Sequence, residues 1–209
     1  WMEHGNRGKH YADILLDFIG SPNYITHYAT CFTSKTNVWA KMVGISLYGD
    51  HENADYMLFT GRNFAGGIIP NGMNKVLKAK ERGAKIVVVD PRYCELAIIA
   101  DEWIPIRPGT DLAFFLAIAH VLITEGLYDL EFIRQNTAGF DEFWQANRDC
   151  TPEWAEKITT VPAEKIREIA REMAAHAPKA FLETGYHGLN AHYQNSVQQA
   201  QANVIINAL

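Results

Sequence analysis

The sequence predicts an α/β fold, a parallel sheet flanked by helices with a helix-rich insertion, and three observations predict it. Lys85-Ile86-Val87-Val88-Val89 is dominated by β-branched residues, the pattern of a strand buried on both faces of a parallel sheet. Tyr56-Met57-Leu58-Phe59-Thr60 reads as a second strand, and a glycine-rich loop and a helical pattern separate the two. A series of short helices, Tyr128 to Ala175, then leads to a further strand at Lys179 to Glu183, so strands and helices alternate as a parallel sheet requires.

Taken in order, Lys9 to Ile19 has helical spacing, with Tyr11, Ile14, Leu15 and Phe18 on one face. Gly20-Ser21-Pro22-Asn23 ends it, and Tyr24 to Cys31 is a short extended stretch. Thr36 to Tyr48 is a second helix with Val38, Trp39, Met42, Val43 and Ile45 buried. The loop Gly61 to Gly67 precedes a helix from about Met73 to Arg82, with Met73, Val76 and Leu77 on one face and Gly83 as its stop. Cys94 to Ala100 is a helical turn. Trp103-Ile104-Pro105-Ile106 is a short strand that its proline confines to an edge or to a few ladder bonds. Thr110 or Asp111 caps the next helix and Gly126 closes it. Thr151-Pro152-Glu153 is an N-cap with proline at the first helical position. Val161-Pro162-Ala163-Glu164 opens a helix whose core face is Ile166, Ile169, Ala170 and Met173. Gly185 to Asn190 is a loop carrying His187. The last helix runs from about Tyr193, with Val197, Ala200, Val204, Ile205 and Ala208 inward.

Bulk properties narrow the functional classes. The 209 residues are 48% hydrophobic and 21% charged, an ordinary composition for a water-soluble domain. The net charge of −5 gives no support to a nucleic-acid surface. The three cysteines, Cys31, Cys94 and Cys150, are far apart and form no CxxC, which argues against a zinc ribbon or a redox pair. Three thiols are also too few for the four ligands of an iron–sulfur cluster. The longest apolar stretch, Leu112 to Ile123, is short of the roughly 20 residues of a membrane span, so no direct membrane insertion is expected. The start, Trp1-Met2-Glu3-His4, lacks a basic-then-apolar leader, and the end breaks off within a helical pattern, so an interior fragment of a longer chain is expected.

Several residues have a chemical reading beside a plainer one. Gly61-x-Asn63-x-x-Gly66 has dinucleotide-loop spacing with asparagine in place of the second glycine. Small residues after a strand let a phosphate approach backbone N–H groups, and they also serve a simple strand-to-helix turn. Arg62 adds a cation at the ligand edge. Asp90, at the end of a strand, can accept from ribose hydroxyls, or can simply shape the turn before Pro91. Arg92 can meet a phosphate, or pair with Glu95. In Gly109-Thr110-Asp111, a carboxylate at a helix start can accept the N1–H and N2–H₂ edge of a guanine, or merely cap the helix. Cys31 has His27 four residues before it and a polar run, Thr30, Thr33 and Ser34, around it; alone it reads as a ligand or as a small buried hydrophobe. His187 and His192 line a polar pocket or a solvated loop. Cys94 and Cys150 read as structural, and the charges from Glu164 to Glu172 as a solvated helix face.

Three motifs in order and spacing carry a resemblance. They are Ala54 to Asn63, Lys80 to Arg92, and Ala100-Asp101-Glu102-Trp103-Ile104-Pro105-Ile106-Arg107-Pro108-Gly109-Thr110-Asp111. Together they resemble the catalytic subunit of molybdopterin oxidoreductases of the dimethyl-sulfoxide-reductase family. Gly20-Ser21-Pro22-Asn23 to His27-x-x-x-Cys31 is similar to the thiosulfate, polysulfide, tetrathionate and arsenate reductase branch. The sequence departs from that pattern at Phe64, where the family often has proline, and in the loop 185–191, which lacks an arginine expected near the metal.

The resemblance implies a Rossmann-like domain over 51–209 with a helical insertion at about 126–177, preceded by a 1–50 segment carrying the metal-ligand cysteine. It implies that Cys31 ligates molybdenum, a soft thiolate donor suited to a redox metal held by pterin dithiolenes. His27 and His187 would handle protons beside it. Gly61, Arg62, Asn63, Asp90, Pro91, Arg92, Gly109, Thr110 and Asp111 would hold one half of a molybdenum bis(molybdopterin guanine dinucleotide). The implied activity is a two-electron reduction or oxidation of a small sulfur compound or other oxyanion in anaerobic respiration. A 4Fe-4S cluster is expected upstream, with an iron–sulfur electron-transfer subunit and a membrane-anchor subunit as partners and a periplasmic location. Formate dehydrogenase or nitrate reductase activity within the same family, and a metal-free nucleotide-binding module, are the competing readings.

Overall fold

The computed structural model describes residue 11 and residues 14–23, 33–45, 47–67, 70–185 and 193–209. Its centre is a four-stranded parallel sheet of β1 (Tyr56–Thr60), β2 (Lys85–Val89), β3 (Glu102–Ile104) and β4 (Ala180–Thr184), in the order β3-β2-β1-β4. The registers run Tyr56 against Lys85 and Ala180 at one end, and Thr60 against Val89 and Thr184 at the other. All strands therefore point their carboxyl ends to one edge. β3 lies at the border of the sheet and stops before Pro105, which has no N–H for a ladder bond.

Side chains of β1 and β2 alternate between two apolar layers, as period-2 geometry demands. Tyr56, Leu58, Val87 and Val89 enter one core with α4 (Asp111–Thr124), α8 (Ala163–Ala175) and α9 (Ser196–Ala208). Met57, Phe59, Ile86 and Val88 enter the other, with Val76 and Ala79 of α2 (Asn71–Glu81) and Leu96 of α3 (Glu95–Ile99). Both faces are covered, and the β-branched run of β2 is the sequence trace of that double burial.

Between β3 and β4 the chain makes the expected helical series: α4, α5 (Leu130–Asn136), α6 (Phe140–Asn147), α7 (Pro152–Thr159) and α8. Thr151 caps α7, its hydroxyl accepting from Trp154 N–H at 3.2 Å, with Pro152 at the first helical position. Ile166, Ile169, Ala170 and Met173 are the buried face of α8, while its charges pair at the surface. Arg171 grips Glu125 with two 2.8 Å bonds, and Lys165 meets Glu102 at 2.7 Å. Among the described residues, no helix is long and apolar enough to cross a membrane.

The amino-terminal third differs from the pattern reading. Residues 14–18 are helical, but Tyr11, Ile14, Leu15 and Phe18 are exposed, because among the described residues no element covers that face. α1 spans Thr33–Val43 rather than Thr36 to Tyr48. Gly44, at φ +82°, ends it in a conformation that glycine adopts without strain. Val38 and Trp39 are buried, whereas Met42, Val43 and Ile45 are exposed, since α1 packs mainly on α9. Leu77 and Val197 are also exposed, and Gly72, Gln199 and Asn203 take the inward positions on their helices.

Candidate functional site

β1 connects to β2 on one side of the sheet, and β4 joins it on the other. That reversal of strand order is the crevice where ligands of open α/β sheets sit, beyond the carboxyl ends. The loops after β1, β2 and β3 all leave from this edge, and so does the residue after β4. Gly185 there donates its N–H to Thr60 O at 2.9 Å. A β-carbon on Gly185 would lie 1.8 Å from Gly61 O, so only glycine allows the two backbones this approach.

The loop after β1 is tight. Asn63 Nδ2 donates to Glu95 Oε2 at 2.6 Å, linking this loop to the start of α3. Asn63 Oδ1 is buried without a hydrogen-bond partner. Gly66 and Gly67 make room for Asn63, since a β-carbon on either would fall within 2.7 Å of it. Arg62 is buried, with its guanidinium carbon 4.1 Å from the centre of the Phe64 ring. Phe64 is buried against His51, Phe59 and the helix face left bare by Gly72. The departure from proline at this position thus makes the loop's second half a core plug.

Asp90 is buried and its Oδ1 accepts from Arg92 N–H at 2.8 Å, shaping the Pro91-Arg92 turn. Trp103 Nε1 donates to Asp90 O at 3.0 Å and holds that turn over β3. Arg92 is exposed, its Nε 3.7 Å from Asp90 Oδ1, while Glu95 is engaged by Asn63. Gly109 turns at φ +78°, with the Tyr193 ring 2.6 Å from where a β-carbon would stand. Thr110 stands at the N-cap position of α4 without a side-chain capping bond: its hydroxyl donates back to Arg107 O at 2.6 Å, and Asp111 is the first helical residue. Asp111 is 2% exposed, and its Oδ1 has no hydrogen-bond partner. Burial pushes its carboxyl up to about 7, its own backbone N–H opposes the rise, and the charge of Asp90 adds to it.

Beneath these loops lies a charge cluster that pattern reading does not reach. Glu183, on β4, is 3% exposed. Its Oε2 is 2.6 Å from His51 Nε2, and its Oε1 is 3.1 Å from Arg62 Nε, a charge pair without hydrogen-bond alignment. Lys35, on the first turn of α1, is buried and donates to Thr184 O at 3.2 Å. Burial lowers the Lys35 ammonium to about 8; Glu183 resists the fall and Arg62 reinforces it. Burial pushes the Glu183 carboxyl up, but the His51 hydrogen bond and the charges of Lys35, His51 and Arg62 overcome it and hold the group below the usual carboxylate range. The one trace in the sequence is a glutamate inside an otherwise apolar strand, Ala180-Phe181-Leu182-Glu183.

Cys31, His27, His187 and His192 lie outside the described residues. Among the described residues, no group of three or more His, Cys, Asp and Glu side chains is arranged to hold a metal. Cys94 is buried in the core against α3, and Cys150 is half-buried with its thiol pushed up by burial.

The residues of the carboxyl edge fit a long anionic nucleotide. A buried guanidinium, beside Glu183, and glycine-lined backbone stand at the β1 end, and a buried carboxylate oxygen without a hydrogen-bond partner stands at the β3 end. The family model for molybdopterin oxidoreductase matches residues 8–207. The molybdopterin-containing subunit PhsA of thiosulfate reductase from Salmonella typhimurium is 41% identical over 182 residues, 87% of this chain and 24% of that protein. Formate dehydrogenase H of Escherichia coli is 41% identical over 143 residues, 68% of this chain and 20% of that protein. Among solved structures, acetylene hydratase from Pelobacter acetylenicus matches with a TM-score of 0.83 and 29% identity, covering 93% of this chain and 26% of that one. The chain spans about a quarter of the length of such relatives.

Proposed function

The chain belongs to the molybdopterin oxidoreductase family, and on that premise we propose that it forms part of the catalytic subunit of a bis(molybdopterin guanine dinucleotide) enzyme of anaerobic respiration. The substrate class is a small sulfur compound or other oxyanion, and the similarity to a thiosulfate reductase subunit along 87% of the chain favours it. A formate dehydrogenase is the second reading, favoured by equal identity over a shorter stretch. The observation that carries the cofactor assignment is the convergence of three loops on one edge, ending at the unpartnered buried oxygen of Asp111.

In this reading each loop takes one part of the nucleotide. Gly61, Arg62 and Asn63 bind phosphate and pterin, where backbone N–H groups and a fixed cation suit an anion. Asp90, Pro91 and Arg92 line the nucleotide's middle. Gly109, Thr110 and Asp111 take the guanosine end, with the ionised Asp111 accepting from the guanine edge. The cofactor, when bound, supplies the two-electron chemistry, and the protein binds, orients and tunes it. Cys31 would supply the protein's thiolate ligand to the metal, and His27 and His187 would hold or move protons near it. The intact enzyme would carry a 4Fe-4S cluster, exchange electrons with an iron–sulfur subunit and a membrane-anchor subunit, and work in the periplasm.

Metal and pterin analysis of the full-length parent, produced with the cofactor-synthesis genes, tests the assignment. Molybdenum and guanine nucleotide are expected together, with Cys31→Ser losing the metal. A parent free of molybdenum, or a Cys31→Ser variant that keeps it unchanged, removes the proposal. Reduction assays with thiosulfate, polysulfide, tetrathionate and arsenate, against formate oxidation, separate the two readings.

A further inference from the structure

On the cofactor assignment made above, we propose that Glu95, which stands outside the three loops given to the cofactor, is a positioning residue for that site. It holds the Asn63 amide in one orientation, with Oδ1 left to accept a hydrogen bond from an N–H group of the pterin. Asn63 follows β1 and Glu95 follows β2, and the 2.6 Å bond from Asn63 Nδ2 to Glu95 Oε2 joins the two strand ends. Glu95 is exposed, whereas Asn63 Oδ1 is buried and has no hydrogen-bond partner. Gly66 lies against the pair: a β-carbon there would stand 2.7 Å from Asn63 Nδ2 and 3.3 Å from Glu95 Oε2.

An ionised carboxylate only accepts hydrogen bonds, so the amide edge facing Glu95 is the NH₂ group. The Glu95 carboxyl is held below the usual carboxylate range, first by its own backbone N–H and then by Asn63, and is ionised at neutral pH. With the amide turned over, Oδ1 and Oε2 would meet as two acceptors at hydrogen-bond distance, which is repulsive. Asn63 Oδ1 therefore faces away from Glu95, and a group that satisfies it must be a donor. A phosphate oxygen cannot be that group, whereas a pterin carries ring N–H and amino donors. Phosphate is left to the backbone N–H groups of the glycine-rich turn. Leaving a buried acceptor unpaired is unfavourable, and a ligand that supplies a donor removes that penalty. Glycine at 66 preserves the arrangement, since a side chain there would force the amide to shift.

Two substitutions at this exposed position separate orienting the amide from merely tying two loops together. In E95Q and E95K the new side chain is long enough to reach Asn63. Glutamine still accepts from Nδ2, whereas lysine can only donate, so it turns the amide over and sets Nδ2 against the ligand's donor. The positive charge added in E95K favours an anionic ligand, so electrostatics alone would tighten binding. Both measurements use the full-length parent. One is the rate of cofactor release from loaded protein, read by the fluorescence of the freed pterin. The other is the thermal midpoint of protein produced without the cofactor-synthesis genes. E95K is expected to release the cofactor about tenfold faster, the loss of one good hydrogen bond, or to load none, while E95Q stays within about twofold of wild type. The three cofactor-free proteins are expected to share one midpoint, because the substituted side chain is exposed. An E95K protein that holds the cofactor as wild type does, an E95Q protein that loses it as fast as E95K, or a cofactor-free midpoint that falls in E95K overturns the proposal. Wild-type protein without pterin or molybdenum would instead strike at the underlying function, which separates the two failures.

Discussion

A β-carbon placed on Gly185 would stand 1.8 Å from the carbonyl oxygen of Gly61, so the backbones leaving β4 and β1 touch at the crevice of the sheet. The obstacle is main chain, which cannot rotate aside as a side chain would. Gly185→Ala is therefore expected to cost about 3 kcal/mol, the upper part of the range for overpacking. Denaturant unfolding measures it, and a variant as stable as wild type would show that the two strand ends do not meet.

Asp111 makes stability and binding respond to pH in opposite directions. Burial raises its carboxyl from 3.8 to about 7 in the folded state. The folded protein then holds a proton that the unfolded chain has released. Its contribution to stability is full below about pH 4 and is lost as pH rises to about 7. Asp111→Asn should flatten this slope in unfolding experiments. A guanine edge needs the ionised form, so guanine-nucleotide affinity should climb through pH 7. Asp111→Ala should weaken it by roughly 1.5–3 kcal/mol, the value of a charge-assisted bond. Calorimetric titration that finds affinity unchanged would remove this residue from the guanine site.

Phe64 and Gly72 are a matched pair. The Phe64 ring is fully buried and occupies the place of a Gly72 β-carbon, at 2.5 Å. Phe64→Ala is expected to cost about 3–5 kcal/mol through the cavity it leaves. Gly72→Ala alone should cost about 1–3 kcal/mol by overpacking. Combined, the two should cost less than their sum, since the new methyl enters the vacated space. Strict additivity in unfolding free energies would refute the packing.

Asn207 seals the free side of β4. Its amide accepts from Leu182 N–H at 2.9 Å and donates to Leu182 O at 2.9 Å, and Asn203 donates to the same oxygen at 2.9 Å. Asn207→Leu should cost about 1–3 kcal/mol, the penalty of stranding buried backbone groups. It should also speed hydrogen exchange at the Leu182 amide; unaltered exchange there would show that the edge is protected by other means.

Much of the frame is legible from local pattern. β1, β2, the helix α8 and the proline-limited β3 follow from period, β-branching and punctuation, because each of those signals acts within a few residues. The loops bearing Arg62, Asp90 and Asp111 could be marked as candidates for the same reason, since a ligand edge follows the end of a parallel strand. The limits of α1 could not, because its inward face is set by α9, more than 150 residues away in sequence.

By itself, then, the sequence determined the alternation of strand and helix and the three motifs that mark the family, since these depend on neighbours along the chain. Only the tertiary structure decided which polar groups are buried together. Lys35, His51, Arg62 and Glu183 come from distant segments and meet at one strand end. Their orientation depends on the low-dielectric space they share, and no local pattern encodes that.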